Sequence, residues 1–230
     1  FLSPRNQVVL KIYLLGADFL FDGERGGIME KILVTIGRQY GSGGRMIGRQ
    51  IAENLGISFY DRELIELASQ KSGIEVGTLS MFNERAVPAT LLKMKSRGAG
   101  KDVGDILFQT QTQIIREIAE KESCVIIGRC GDYVLQDFPQ LFSVFVTAPI
   151  PKRVQRIMER NHMSEEDARA AVDKVDRQRR DYYNHYTGKS WGGPESYQLT
   201  VDSSVLGIEG TVRALEEKIG FRIKNKEYVL

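Results

Sequence analysis

The sequence predicts an α/β protein in three layers, a parallel sheet of about five strands with helices on both faces. Two observations carry this. Short runs rich in β-branched and aromatic residues alternate with longer stretches of helical periodicity, the order produced when crossover helices join parallel strands. The first run, "KILVTI", reads as a buried central strand and passes at once into a glycine-rich turn and a helix. A chain of 230 residues, 42% hydrophobic and 27% charged, has enough material for one sizeable core or a core with a small lobe.

The elements follow in order. A strand is expected over 31–36 and a helix from about Gly44 to Asn54, ended by Gly56, since glycine adopts the left-handed conformation of a helix stop without cost from a Cβ. "ISFY" (57–60) is a second strand. Residues 62–70 form a helix with Leu64, Ile65, Leu67 and Ala68 on one face. The polar, glycine-bearing stretch 72–101 is expected to be a small helical insert on the acceptor side. Residues 105–122 form a longer helix whose Ile106, Leu107, Ile114, Ile115 and Ile118 make a core stripe. Strands at 124–128 and 141–148 flank "RCGDYVL", and a helix over 151–161 opens on a proline. "SEED" (164–167) is the start signal of a further helix running through "NHY". A strand at 197–203 and a helix at 208–219 close the chain. Residues 1–28 read as an extension and 29–230 as the main domain, with 162–192 as a lid.

Composition narrows the chemistry. Thirty-two basic residues against 30 acidic ones give a net charge of +2, so any anion site must be built locally and no nucleic-acid partner is expected. Two cysteines suit a reducing compartment, and a cytoplasmic location is expected. Two histidines leave almost no material for a His-rich metal centre, so a metal would rest on oxygen ligands and phosphate. No apolar run reaches the roughly 20 residues that span a bilayer.

Three segments carry the candidate site. Gly41, Ser42, Gly43 and Gly44 lie between strand and helix, where backbone N–H groups converge on an anion and the helix dipole adds positive potential. The pattern G-x-x-x-x-G-K-[ST] is not met: the loop has no lysine, and Met46 stands where a magnesium-binding hydroxyl is expected. Arg38, Arg45 and Arg49 flank it instead. The alternative is a tight turn that binds nothing. The second segment is "VIIGRCGDY" (125–133), where Arg129 at a strand end can grip a phosphate with two donors and Asp132 can orient a sugar, base or metal-bound water. Otherwise Arg129 closes a salt bridge with Asp132. The third is "DKVDRQRRDYY" (173–183), either a solvated helix face with i,i+4 pairs or a lid whose arginines close over a transferring phosphoryl group.

Together the loop "YGSGGR", the "AENLG" helix end followed by "FYD", the strand end "IIGR", the strand "VFVTA" before a helix with Arg153 and Arg156, the segment "DRQRRD" and the ending "VDSSVLGIEGTV" make the chain resemble the cytidylate kinase-like branch of the P-loop nucleoside monophosphate kinases, over about residues 31–220. The resemblance implies the P-loop NTPase fold. It also implies ATP and magnesium as cofactors, with ATP phosphates on Gly41, Ser42, Gly43, Gly44, Arg45 and Met46; with the hydroxyl position lost, the magnesium ion is expected to rest on phosphates, waters and Ser42 or a carboxylate. Asp61, Arg129, Asp132 and Asp176 fall on the acceptor side, and Arg45, Arg129, Arg177, Arg179 and Arg180 take the catalytic roles. Gly44 occupies the family's lysine position, and Arg45 or Arg38 is expected to replace that charge. The aspartate of the family's "GRD" motif falls on Cys130. The implied function is ATP-dependent phosphoryl transfer to a small acceptor, CMP or dCMP by resemblance. A kinase of another small metabolite and a non-catalytic nucleotide-binding regulator are the alternatives. Nucleotide substrates are the expected partners, no membrane is, and a homo-oligomer is compatible with the sequence.

Overall fold

In the computed structural model, residues 31–82 and 103–225 are described. The expected extension at 1–28 lies outside them, as does most of the 72–101 insert, of which helix α3 (Val76–Phe82) belongs to the described part. Five strands form one sheet: β1 (Leu33–Arg38), β2 (Ser58–Tyr60), β3 (Cys124–Ile127), β4 (Leu141–Thr147) and β5 (Leu199–Asp202). Their order is β2-β3-β1-β4-β5 and every pairing is parallel. Strand β1 is therefore the centre, and all six of its residues are buried.

Alternation along β1 divides the core in two. Leu33 joins Ile126, Leu64, Leu107 and Ile115 under helices α2 (Glu63–Ser72) and α4 (Val103–Lys121). Val34 and Ile36 join Ile47, Ile51, Val144, Val212 and Ile219 under α1 (Gly44–Leu55) and α8 (Gly207–Asn225). The sheet is thus covered on both faces, as continuously apolar parallel strands require. The first strand sits two residues later than its apolar run suggested, because the backbones of Gly37 and Arg38 still pair with Phe145 and Val146 of β4. Pairing follows the neighbouring strand, whereas the apolar run follows side-chain burial.

Local signals end the elements where expected. Gly56 caps α1 at φ 65°, its N–H donating to the carbonyls of Ala52 and Glu53. Ser164 caps α7 (Glu165–Thr187) through its Oγ, which accepts the Asp167 N–H at 3.1 Å. Helix α7 packs along α6 (Ile150–Asn161), and a short α5 (Gly131–Val134) follows β3. A separate aromatic cluster of Phe145, Tyr182, Tyr183, Tyr197 and Trp191 joins the end of α7 and the segment after it to the sheet. No helix among the described residues is long and apolar enough to cross a membrane.

Candidate active site

The carboxyl ends of β1 and β3 open into a crevice at the centre of the sheet, the place where open α/β sheets bind ligands. On one side the chain leaves β1 through a tight turn, in which the Ser42 N–H donates to the Gln39 carbonyl at 3.2 Å. Gly41 and Gly43 have φ of 79° and 84°, values only glycine holds without strain. Space forbids a side chain as well: a Cβ on Gly41 would lie 2.7 Å from the Arg153 carbonyl, and one on Gly43 would run into Ile208. Helix α1 then begins on Gly43 with no side-chain cap among the described residues. The N–H groups of its first turn, on Gly44, Arg45 and Met46, have no acceptor within the helix and remain for an anion.

At Gly44 the packing leaves no space for a lysine side chain. A Cβ there would sit 2.7 Å from Arg38 Cβ and 3.2 Å from Val146 Cβ. Arg38, only 8% exposed, occupies that space and lines the crevice. Arg45 turns elsewhere, its Nε lying 2.6 Å from the Asp61 carboxylate.

A wall of the crevice comes from the end of β3. Gly128, Arg129 and Cys130 follow one another in the left-handed region, with φ of 70°, 57° and 54°. Consecutive left-handed residues with a Cβ are costly, by roughly 1–3 kcal/mol each, and such strain concentrates at functional sites. Here the turn carries the Arg129 side chain into the crevice while burying it to 3% exposure. Its Nη2 donates to the Asp61 carbonyl at 3.4 Å, so Asp61 fixes Arg45 through its carboxylate and meets Arg129 through its backbone.

Asp132, one turn on, is buried and accepts the Tyr183 hydroxyl proton at 2.6 Å. Burial in a low-dielectric site pushes its carboxyl up to about 6, and Tyr183's hydrogen bond opposes that rise only in part. Burial also raises Tyr183, reinforced by the charge and hydrogen bond of Asp132, and holds Tyr197 well above the usual phenol range. The crevice is thus lined by Arg38, Arg129, Arg179, Asp132 and a wall of Tyr182, Tyr183, Trp191 and Tyr197. It leaves about 20 Å³ of room, enough for one water.

Of the arginines expected in a lid, Arg179 lines this crevice and donates from Nη1 to the Arg38 carbonyl at 3.1 Å. Arg177 and Arg180 are exposed and do not line it. Asp176, expected near the acceptor, has both oxygens engaged within the protein: Oδ1 accepts the Tyr40 N–H at 2.7 Å and Oδ2 lies 2.5 Å from Arg153 Nη1. Met46 is 63% exposed. Ser42 is fully buried, and its Oγ has no hydrogen-bond partner among the described residues. No group of three or more His, Cys, Asp or Glu side chains among the described residues is placed to hold a metal.

Arg156 entered the sequence reading with Arg153 as one of two arginines on the helix after "VFVTA", with no role assigned to it. In the fold its Nη1 lies 3.0 Å from the Ser42 carbonyl, 3.3 Å from that of Gly41 and 2.9 Å from Ser203 Oγ. The only sequence signal for such a contact is its i+3 spacing from Arg153. The tyrosine wall had no signal beyond aromatic packing.

Comparison with known proteins bears on the family and the fold. The cytidylate kinase-like family matches residues 33–205. A cytidylate kinase from Aeropyrum pernix is 28% identical over 178 residues, covering 77% of this chain and 92% of that protein. Among solved structures, an uncharacterized protein from Eubacterium ventriosum superposes with a TM-score of 0.65 at 26% identity, covering 82% of this chain and 98% of that one. Shikimate kinase from Bacteroides thetaiotaomicron has a TM-score of 0.50 at 16% identity over 82% and 98% of the two chains, a likeness of fold alone. With a five-stranded parallel sheet and a family match over most of its length, the chain belongs to the cytidylate kinase-like family.

Proposed function

We propose that this protein transfers the γ-phosphoryl group of ATP to the phosphate of a nucleoside monophosphate, CMP or dCMP in the first instance. The observation that carries the reading is an uncapped glycine-loop helix start after β1 beside the buried, strained Arg129 at the end of the neighbouring strand β3. The first-turn amides would hold donor phosphates, and Arg129 the acceptor phosphate. An oxygen of the acceptor phosphate attacks the γ-phosphorus, the bond to the bridging oxygen breaks, and ADP leaves with that electron pair. The acceptor is already ionised at neutral pH, so no protein base or nucleophile is needed. The protein's task is to position the groups and to stabilise charge on the equatorial oxygens. Arg38, Arg129 and Arg179 serve that task here, with Arg38 in the space a lysine at position 44 would need. Arg45 belongs with Asp61 on the acceptor side, Asp176 holds the lid to α6, and Arg177 and Arg180 are left to solvent.

Magnesium would neutralise charge on the nucleotide's phosphates. With the Ser42 hydroxyl buried and no carboxylate cluster among the described residues, the ion would arrive as the nucleotide's own complex, held by phosphates and waters. A crevice of about 20 Å³ is far below the roughly 300 Å³ or more of a ligand site, so α7 and the segment after it must move outward to admit substrates.

The test is a coupled ADP-release assay across nucleoside monophosphates with magnesium. Turnover with CMP or dCMP supports the assignment, and turnover only with a different small metabolite moves it to another kinase of this fold. ATP binding without turnover on any acceptor would favour a nucleotide-binding regulator, the reading to which the missing lysine and buried Ser42 hydroxyl otherwise point.

A further inference from the structure

We infer that Arg156 is a positioning residue for the glycine loop, holding it from behind in the shape that presents its amides to phosphate. This rests on the reading of the loop as a nucleotide site and adds to it the group that sets the loop's shape. The guanidinium is supplied by α6, 114 residues along the chain from Ser42. Its Nη1 is shared among the carbonyls of Ser42 and Gly41 and the hydroxyl of Ser203. Nη2 donates to the Ser203 carbonyl at 3.3 Å, which ties the same arginine to the end of β5. Ser203 is itself fully buried, and its hydroxyl donates to the Ser42 carbonyl at 2.5 Å. Two donors therefore converge on one carbonyl.

That convergence has a geometric consequence. The Ser42–Gly43 peptide is trans and planar, so its C=O and N–H point in opposite directions. Pinning the Ser42 carbonyl toward Arg156 turns the Gly43 N–H to the other side, away from α6. With φ of 84° at Gly43 the chain then enters α1, whose first amides have no internal acceptor. In loops with a lysine, one side chain inside the loop can supply charge and a donor together. Here Gly44 has no side chain, and Arg38 blocks one from being added. The donor enters from the rear, and its charge stays close, since a Cβ on Gly43 would lie 3.8 Å from Arg156 Nη1. Arg156 acts through the loop's backbone, so it should affect nucleotide affinity without affecting the acceptor.

Hydrogen exchange of the nucleotide-free protein, ATP calorimetry and separate KM values for ATP and acceptor test this on Arg156→Ala, Arg156→Lys and Ser203→Ala. Arg156→Ala is expected to speed exchange of the amides at 41–46 by roughly tenfold or more and to weaken ATP about 10- to 100-fold, the loss due to charge-assisted hydrogen bonds. The KM of the acceptor stays unchanged. Arg156→Lys, which keeps one cationic donor group, recovers part of both effects, and Ser203→Ala shows them in weaker form. If Arg156→Ala proves unfolded, the lysine and Ser203 variants carry the same comparison. Wild-type exchange rates and ATP affinity in these variants overturn the inference. If the unsubstituted protein fails to bind ATP, the nucleotide reading falls, and the exchange data still decide whether Arg156 shapes the loop.

Discussion

Gly44 shows how one position can make a familiar substitution unworkable. Restoring the family's lysine there by Gly44→Lys would drive a Cβ to within 2.7 Å of Arg38 Cβ. The expected outcome is a loss of about 1–3 kcal/mol of stability by urea unfolding, the usual cost of overpacking, with no gain in ATP affinity. Arg129→Lys keeps the charge and loses the planar fork, so turnover on the preferred acceptor is expected to fall about 100- to 1000-fold. Asp132 predicts a pH dependence. Its carboxyl titrates near 6 in the fold against an ordinary 3.8, so the native state holds a proton that the unfolded chain has released. Stability contributed by this group is therefore greatest below about pH 4, falls as pH rises toward 6, and stays low above that, a difference of about 3 kcal/mol. Asp132→Asn keeps an acceptor for Tyr183 and removes the titration. Urea midpoints should match the unsubstituted protein near pH 4 and exceed it at pH 7.5, and equal midpoints at pH 7.5 would contradict the buried-carboxyl account.

At the scale of elements, helix α7 is held by ties that cross long stretches of chain. Asp176 on α7 joins Arg153 on α6 and the Tyr40 amide beside the glycine loop, 136 residues away. Both side chains of the ion pair are buried. Removing one partner strands the other charge, and Arg153→Ala is expected to cost about 3–5 kcal/mol, whereas the apolar double replacement Arg153→Met with Asp176→Leu costs less than Arg153→Ala alone. A double-mutant cycle by urea unfolding measures the difference. Helix boundaries on α1, α6 and α7 were legible because glycine, proline and serine act within one turn of themselves. The destination of Asp176 was not: the sequence showed a carboxylate among arginines on one helix, and its partner stands on another.

For the molecule as a whole, the sheet order brings the end of β1, the turn after β3 and the end of α7 around one crevice, so a ligand there should bind all three together. ATP at 100 times its dissociation constant is expected to add about 2.7 kcal/mol of stability. A thermal-shift titration would show it as a rise of the melting midpoint by about 5–10 °C, and Arg38→Ala should abolish most of the rise.

The sequence by itself determined the layered α/β fold and the strand-loop-helix start, and it singled out arginine as the residue expected to meet an anion. These follow from periodicity, from glycine's backbone freedom and from side-chain type, all properties of residues near one another in the chain. Only the tertiary structure decided which arginines meet: Arg38 and Arg179 with Arg129 in the crevice, Arg45 with Asp61, Arg153 with Asp176, and Arg156 behind the loop. A guanidinium has the same reach and charge wherever it stands in a sequence. Its role is set by which carbonyls and carboxylates the fold brings within 3 Å of it, and that is fixed by sheet order and helix packing.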